Sequence, residues 1–355
     1  MRRLLLPALL LLISGCAVGS TRVPEPDRPG RAVQVHDAET GRLLWRKEIS
    51  PPTPATEPLL AGGVVLVPGG PLIAYDARSG ERLWTVEDAP VQPQVAGDMV
   101  VLPRQRDVEA VDARTGRSLW RHPVSPAERV YAGPGGVVVV TDRLPGPPDD
   151  APPPTPLPEP PGEVRLLTLA GEELWRVDVA GPPMYAHAGA GAVAVAGLRG
   201  DVVALAGADG RQLWRARTPP ATVVLVSGDR VLARVETGVV ALDGATGAQL
   251  WSQQAAGGGA PLQVSGDRVL AVRHAGTSRV LALDDGTVLE ESRARDVELL
   301  SDGLVTAEVG ELRFDGPDRG WLATVLTGDR PALWTGADDD VVVAVVGWGQ
   351  PPTRD

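Results

Sequence analysis

One short motif recurs along this chain, and its second copy reads Ala74-Tyr75-Asp76-Ala77-Arg78-Ser79-Gly80-Glu81-Arg82-Leu83-Trp84. The full copies place an Asp eight residues before the Trp and a Gly four residues before it. The other copies, two of them weaker, end at Trp45, Trp120, Trp175, Trp214 and Trp251. A repeat of this kind accounts for the skewed aromatic content of nine Trp against three Tyr and one Phe.

The spacing of the copies is nearly constant. Successive motif tryptophans are 39, 36, 55, 39 and 37 residues apart. The long step contains the segment Leu144–Pro161, in which ten of the eighteen residues are proline, and without this insertion the step is 37 residues. A repeat of roughly 40 residues is typical of a β-propeller, in which each repeat forms one four-stranded blade.

The segments around the motif have the pattern of short β-strands. Apolar β-branched runs such as Gly63–Val67 and Gly136–Val140 lie upstream, and a second run such as Val239–Leu242 leads into the Asp. The Asp side chain can accept backbone N–H bonds in a tight turn, and the Gly supplies the left-handed residue that closes a hairpin. Because no helical period occurs in the chain, the sequence predicts an all-β fold.

The pattern Ala-x-Asp-x-x-Thr-Gly-x-x-x-Trp resembles the tryptophan-docking repeat of the PQQ-like (quinoprotein-like) β-propellers. The similarity extends over nearly the whole chain that follows the N-terminal segment. It implies that each motif tryptophan packs against a neighbouring blade and has a structural role. The residues to which this implied docking role applies are Trp45, Trp84, Trp120, Trp175, Trp214 and Trp251.

The number of motif positions predicts a single propeller over residues 32–348, with eight blades. A seventh copy, Ala282–Leu289, reads as shortened and has Glu290 in place of the Trp, and an eighth around Phe314–Trp321 is degenerate. Seven blades are the alternative if this last copy is not a blade. The first motif lacks preceding strands, whereas Pro331–Val346 supplies two strands without a motif. We therefore expect the C-terminal strands to complete the first blade and close the ring, followed by a disordered tail over 349–355.

The N-terminus has the features of a lipoprotein signal over residues 1–15. The apolar run Leu4–Ile13 is too short for a membrane-spanning helix, which needs about 20 residues. Ile13-Ser14-Gly15-Cys16 resembles the bacterial lipobox, and Cys16 is the only cysteine in the chain. We expect Cys16 to carry acyl chains such as palmitate, with 16–31 as a Pro-rich tether. An ordinary secretory signal with an incidental Cys is the alternative.

Composition and charge exclude several functions. The 355 residues are 43% hydrophobic, which suffices for a large core, and the net charge of −11 argues against nucleic-acid binding. Three acidic runs offer oxygen ligands but lack the spacing that would converge on one cation: Asp149–Asp150, Asp284–Asp285 and Asp338–Asp340. Four histidines fall at unrelated repeat positions without short metal-ligand spacing: His36, His122, His187 and His274. We therefore predict neither a metal site nor a cofactor.

Two branches of the resemblance imply different functions. The PQQ-dependent alcohol and sugar dehydrogenases need Ca²⁺, a catalytic Asp and groups that sandwich the quinone, and many carry a disulfide between adjacent cysteines. This chain is shorter than those enzymes and cannot form that disulfide. The BamB-like lipoproteins, which assist β-barrel insertion into outer membranes, agree in length, lipobox and repeat, although no partner-binding residue set could be matched.

These observations favour a non-catalytic scaffold without a catalytic residue. We expect it to be anchored through Cys16 at the extracytoplasmic face of a cell membrane or outer membrane, where it binds another protein or an envelope component. A PQQ-dependent oxidoreductase is the alternative. A ligand-sensing domain is a third class that sequence does not separate from the scaffold.

Overall fold

The computed structural model describes residues 30–49, 58–69, 71–89, 92–141, 161–254, 262–273, 277–294, 296–308, 311–317, 320–324, 334–337 and 340–348. The predicted signal and Cys16, residues 142–160 with most of the insertion, and the predicted tail lie outside these ranges. The regular elements within them are β-strands. No helix there has the length and apolar character that crossing a membrane requires.

The described residues form thirty-two strands. The first sixteen are β1 (Gly30–Asp37), β2 (Leu43–Ile49), β3 (Leu59–Ala61), β4 (Val64–Val67), β5 (Leu72–Asp76), β6 (Arg82–Val86), β7 (Gln94–Ala96), β8 (Met99–Pro103), β9 (Asp107–Asp112), β10 (Ser118–Pro123), β11 (Glu128–Gly133), β12 (Gly136–Thr141), β13 (Gly162–Leu167), β14 (Glu173–Val179), β15 (Pro183–Ala188) and β16 (Ala192–Gly197). The others are β17 (Asp201–Ala206), β18 (Gln212–Arg217), β19 (Ala221–Ser227), β20 (Arg230–Val235), β21 (Gly238–Asp243), β22 (Gln249–Gln254), β23 (Gln263–Ser265), β24 (Arg268–Arg273), β25 (Thr277–Ala282), β26 (Val288–Ser292), β27 (Asp296–Leu300), β28 (Gly303–Glu308), β29 (Glu311–Asp315), β30 (Gly320–Thr324), β31 (Trp334–Ala337) and β32 (Val341–Trp348).

These strands pair into eight antiparallel sheets of four strands, and each sheet is one blade of a β-propeller. Blade 1 consists of β31, β32, β1 and β2, and blades 2 to 8 take the strands β3 to β30 in consecutive groups of four. The first strands of successive blades contact one another, for example β3 with β7 and β27 with β31, so they line the inner edge of the ring. The predicted all-β propeller with eight blades is confirmed.

Blade 1 closes the ring by joining both ends of the described chain. Strand β1 pairs with β32 from Gly30 opposite Trp348 to Asp37 opposite Val341. The prediction that C-terminal strands complete the first blade is therefore confirmed. Closure leaves no open edge between the first and last repeats, as a propeller requires.

The apolar core lies between the blades. The second and third strands of a blade are buried on both sides, and Val137, Val138, Val139 and Val140 of β12 are all fully buried. This explains why these strands are continuous apolar runs in the sequence, whereas an outer strand such as β22 buries only Trp251 and leaves four of its six residues exposed.

The ring has two faces, which follow from its antiparallel topology. We call turn face the side that carries the turns between first and second strands and between third and fourth strands. We call loop face the opposite side, which carries the connections between second and third strands. Gly30 and Trp348, the ends of the paired strands of blade 1, lie at the loop face. Thr141 and Gly162, the strand ends that flank the Pro-rich insertion in the sequence, lie at the loop face as well.

Candidate functional site

The motif Asp and Gly build the same hairpin turn in several blades. In blade 6, Asp243 Oδ1 accepts hydrogen bonds from the Thr246 backbone N–H at 2.8 Å and the Thr246 hydroxyl at 2.7 Å. Gly247 donates its N–H to the Asp243 carbonyl at 2.8 Å and has a φ of 72°. The bonds from Thr246 lower the pKa of Asp243. The same turn occurs at Asp37, Asp76 and Asp112.

Each of the six predicted docking tryptophans contacts the next blade. Trp251 Nε1 donates a hydrogen bond of 2.9 Å to the Leu283 carbonyl of blade 7. The other five make equivalent bonds of 2.8 Å, which join Trp45 to Ala77, Trp84 to Ala113, Trp120 to Leu169, Trp175 to Gly207, and Trp214 to Gly244. The contribution of these contacts to stability stays a prediction.

A seventh tryptophan makes the same contact and was missed in the sequence. Trp321 of blade 8 donates to the Ala38 carbonyl of blade 1 at 2.8 Å. Its turn is shorter, because Trp321 pairs with Phe314, seven residues upstream, whereas Trp251 pairs with Ala241, ten residues upstream. The motif pattern therefore fails there. The spacing was the available signal, since Trp321 lies 70 residues after Trp251, about two repeats.

The motif glycine has a second role that the sequence did not reveal, because its partner belongs to the preceding repeat. A Cβ at Gly247 would lie 2.6 Å from Cδ2 of Trp214, and one at Gly286 would lie 2.7 Å from Cδ2 of Trp251. The glycine is thus the surface on which the preceding indole rests.

Blade 7 has a motif turn of normal length, so its reading as a shortened copy was wrong. Glu290 pairs with Val280, ten residues upstream, as in full copies. Ala282 occupies the Asp position, because its N–H bonds to the Thr287 carbonyl and its carbonyl accepts from Gly286. Asp284 and Asp285 therefore lie two and three residues after the position of the motif Asp. Glu290 therefore stands at the tryptophan position in the seam between blades 7 and 8.

An apolar cavity of about 430 Å³ opens at the turn face between blades 4 and 5. Its walls include Leu166 and Val193, and two large leucines, Leu169 and Leu174, stand at its rim. These two side chains are 45% and 49% exposed. Exposed apolar side chains around a concave surface are typical of a place where another molecule binds.

The described histidines lie on different blades and do not form a common site. His36 of blade 1 donates Nδ1–H to the Gly41 carbonyl at 3.0 Å, and burial lowers its pKa. Burial also lowers the pKa of His122 on blade 3. His187 of blade 5 accepts the Val226 N–H at Nδ1, 3.1 Å away, and burial lowers its pKa to about 4.

The described acidic residues of the three runs are turn residues. Asp285 Oδ1 accepts the Thr287 N–H at 2.8 Å, and Asp340 is exposed and pairs with Arg78 at 3.0 Å. Within the ranges that the structure describes, no three His, Cys, Asp or Glu side chains are grouped so as to hold a metal ion. Asp149–Asp150, Asp338–Asp339 and His274 lie outside those ranges.

The described residues do not fit a bound quinone cofactor. Such a group needs carboxylates that converge on a metal ion, together with flat side chains above and below its ring. The described carboxylates do not converge in this way. The motif indoles lie in the seams between blades, with their N–H groups bonded to backbone carbonyls, as for Trp45 and Trp251.

Comparisons with known proteins agree with this architecture. A sequence profile of the family described as outer membrane protein assembly factor BamB matches residues 14–144 and 161–317. The crystal structure of BamB from Moraxella catarrhalis aligns over 82% of this chain and 96% of that one, with a TM-score of 0.53 and 16% identity.

Two further solved structures resemble the ring. The computationally designed Ika8 protein covers 82% of this chain and 94% of its own, with a TM-score of 0.59 and 15% identity. Apo AztD from Citrobacter koseri aligns over 92% of this chain and 100% of its own, with a TM-score of 0.57 and 10% identity. At these identities the likeness shows the fold alone. No curated protein matches the chain.

Proposed function

Because this chain belongs to the family described as outer membrane protein assembly factor BamB, we propose that it is a non-catalytic scaffold that binds another protein in the cell envelope. The family match covers most of the chain, and the ring is the architecture of a rigid platform. An assembly factor acts through contacts with other proteins, and the proposal extends that mode of action to this chain.

The observation that carries the proposal is the apolar cavity between blades 4 and 5. Leu169 and Leu174 expose apolar surface at its rim, on turns held in place by the seam contacts beneath them. The Leu169 carbonyl itself accepts the Trp120 indole N–H. A protein partner can therefore bury these leucines against a preorganised surface without ordering a loop.

A lipid on Cys16 would attach this scaffold to a membrane. The described chain begins at Gly30, at the loop face, and the leucine-rimmed cavity opens at the opposite turn face. This arrangement supports a scaffold whose binding face is directed away from its point of attachment. Residues 16–29 would then form the linker that spans the distance between the lipid and the ring.

A photo-crosslinking experiment in the native membrane tests the proposal. A photoreactive residue replaces Leu174 at the cavity, and the same residue replaces Leu322 as control. Leu322 is 62% exposed on blade 8, far along the ring from the cavity. We expect one protein to be crosslinked from position 174 and not from position 322.

The crosslinked protein is then purified and titrated with the wild-type chain and two variants. Leu174→Asp should weaken its binding about tenfold, because a charge replaces a buried apolar contact, and Leu322→Asp should leave it unchanged. If neither position crosslinks a protein that binds in purified form, the scaffold proposal is wrong. If only position 322 does, the cavity is the wrong site.

A further inference from the structure

The two hairpin turns of a blade are joined by a backbone hydrogen bond in six of the blades. The residue after the motif Asp position donates its N–H to a carbonyl in the turn between the first and second strands of the same blade, at 2.7–3.1 Å. We call this bond the turn clamp. In blades 1, 2, 3, 5, 6 and 7 it joins Ala38 to Asp340, Ala77 to Gly63, Ala113 to Asp98, Gly207 to Gly191, Gly244 to Asp229, and Leu283 to Asp267.

Blade 4 lacks the turn clamp. Its equivalent donor is the Leu169 N–H, because Thr168 stands at the motif Asp position and donates its own N–H to the Glu172 carbonyl at 2.8 Å. Its equivalent acceptor is the carbonyl of Gly135, which is the second residue of the turn between β11 and β12, as Asp98 is in blade 3. Among the residues that the structure describes, neither the Leu169 N–H nor the Gly135 carbonyl has a hydrogen-bond partner.

The turn between β11 and β12 bonds to the neighbouring blade. Gly135 donates its N–H to the Ala188 carbonyl of blade 5 at 3.0 Å. A Cβ at Gly133 would collide with the Ala188 carbonyl oxygen, and one at Gly135 would collide with the Gly189 carbonyl oxygen. The two backbones can approach this closely because both residues are glycine. The turn therefore packs against blade 5, and the cavity of about 430 Å³ is lined by both Gly135 and Leu169, the two residues that lack the clamp.

Glycine leaves one wall of this cavity without side chains. The glycines in its lining are Gly135, Gly189, Gly191 and Gly207. A Cβ built on Gly191 would meet no atom within 4 Å, so the space above this residue is open. Elsewhere in the ring a glycine surface receives an aromatic ring, since the Trp214 indole rests on Gly247. The cavity therefore offers an unoccupied surface of the same kind, flanked by the exposed side chains of Leu169 and Leu174.

We propose that this cavity binds an aromatic side chain of a partner protein, together with the main-chain N–H and carbonyl of the same partner residue. The proposal rests on the scaffold function proposed above and names the chemistry of the partner. The aromatic ring packs between the glycine wall and the two leucines, where its apolar surface is removed from water. The peptide groups bond to the Gly135 carbonyl and the Leu169 N–H, which the turn clamp satisfies in six other blades.

Binding of labelled peptides to the purified full chain, followed by fluorescence anisotropy, tests the side chain. The probe is Ser-Gly-Ser-Phe-Ser-Gly-Ser, and two matched peptides replace Phe with Ala or with cyclohexylalanine. We expect the Ala peptide to bind about tenfold more weakly than the Phe peptide, and the cyclohexylalanine peptide several-fold more weakly. No binding of the Phe peptide at about 1 mM protein, or equal affinity of the Phe peptide and either matched peptide, would overturn the aromatic assignment.

A fourth peptide tests the main-chain contact. Methylation of the Phe amide nitrogen removes the N–H that donates to the Gly135 carbonyl and leaves the aromatic ring unchanged. This change should weaken binding about fivefold, because one hydrogen bond is lost. The control is methylation of the amide nitrogen of the last Ser, which should leave the affinity unchanged. Equal affinity of these two methylated peptides would overturn the main-chain contact.

Variants of the chain locate the site. Ala170→Trp places a large side chain at the cavity, which Ala170 lines. Ala245→Trp is the matched control, since Ala245 is also exposed and holds the same position in the turn of blade 6. Ala170→Trp should weaken the Phe peptide about tenfold, and Ala245→Trp should leave it unchanged. Leu174→Asp, at an exposed position of the rim, is a second blocking variant, and melting temperatures check that each variant folds. Undiminished binding to both blocking variants would place the site elsewhere and overturn the proposal.

The outcomes separate this proposal from the scaffold function. If a native partner is crosslinked at Leu174 but the Phe peptide does not bind, the aromatic proposal fails and the scaffold stands. If no native partner is crosslinked, the scaffold proposal fails, and the peptides still decide whether the cavity binds an aromatic side chain.

Discussion

Trp251 reaches out of its own repeat, because its indole N–H bonds to Leu283 and its ring covers Gly286 of the next blade. At the level of single residues, each motif therefore supplies the Trp of one contact, and the next blade supplies the backbone carbonyl and the Gly that this Trp contacts. A large aromatic ring, a backbone acceptor and a residue without a side chain must all be present. This explains why the Trp and the Gly recur together.

Replacing Trp251 with Ala should lower the free energy of unfolding by about 3–5 kcal/mol, as for other buried large-to-small changes. Trp251 is 7% exposed, and the neighbouring Leu250, which is 42% exposed, serves as the matched control. Leu250→Ala should cost less than about 0.5 kcal/mol. Urea unfolding followed by intrinsic fluorescence and circular dichroism measures both, and equal losses would contradict a docking role for Trp251.

The buried histidines should make the ring sensitive to acid. The pKa of His187 is lowered to about 4 from an ordinary 6.5, so the unfolded chain binds more protons between these values. Stability contributed by neutral His187 is therefore present above pH 6.5 and is lost as pH falls toward 4, by up to about 3 kcal/mol. The pKa values of His36 and His122 are also lowered, so their contributions have the same sign.

The variant His187→Asn checks this assignment, because its amide oxygen can accept the Val226 N–H without titrating. Unfolding free energies measured from pH 4 to 8 should show a flatter profile for this variant than for the wild-type chain. His122→Asn is the comparison, since its site is less buried and involves the charged neighbours Arg165 and Glu173. An unchanged profile for His187→Asn would show that this histidine does not control the acid response.

Single residues also show which features of the site could be predicted from the sequence and which could not. The six motif tryptophans were found because they repeat, and the turn at Asp243 could be derived from local hydrogen bonding. The contact between Trp214 and Gly247 could not, because it joins two repeats across space. Glu290 was seen to replace a Trp, but the shorter turn of blade 8, which hid Trp321, was not seen.

At the scale of the element, strands two to four of each blade were predictable and the innermost strands were not. The second and third strands are continuous apolar runs because both sides are buried, as for β12 and β21. Innermost strands such as β3, β7 and β23 have only three residues each, too few to show an alternating pattern. Their pairing is set by neighbouring strands and by the closure of the ring.

The Pro-rich insertion Leu144–Pro161 should be dispensable for folding. It enters between β12 and β13, whose ends are paired across the blade through Thr141 and Glu163. A short Gly turn can make this connection, and ten prolines in eighteen residues leave the segment few backbone donors for packing. Replacing it with such a turn should change the melting temperature by less than about 2 °C. A larger drop would mean that the insertion packs on the ring.

At the level of the whole molecule, the number of repeats and the closure of the ring could be predicted from the sequence. The first repeat lacks preceding strands and the C-terminal strands lack a motif, and β1 pairs with β32 in the structure.

The lipid anchor is a separate prediction for the N-terminal segment. Replacing Cys16 with Ser should leave the protein unprocessed or released from the membrane, because the thiol is the group that forms the thioether to lipid. Membrane fractionation and radiolabelled palmitate incorporation measure this. Full membrane retention of the variant with normal signal cleavage would contradict the anchor.

The proposal that the ring is a scaffold and not a quinone-dependent enzyme is tested by measuring whether the protein binds PQQ. Purified protein is incubated with PQQ and Ca²⁺, desalted, and examined for cofactor absorbance and for dye reduction with alcohols and sugars. We expect neither, because the described carboxylates do not converge and the indoles of residues such as Trp45 and Trp214 are bonded within the seams. Stoichiometric PQQ retained with turnover would contradict the scaffold proposal and establish the oxidoreductase.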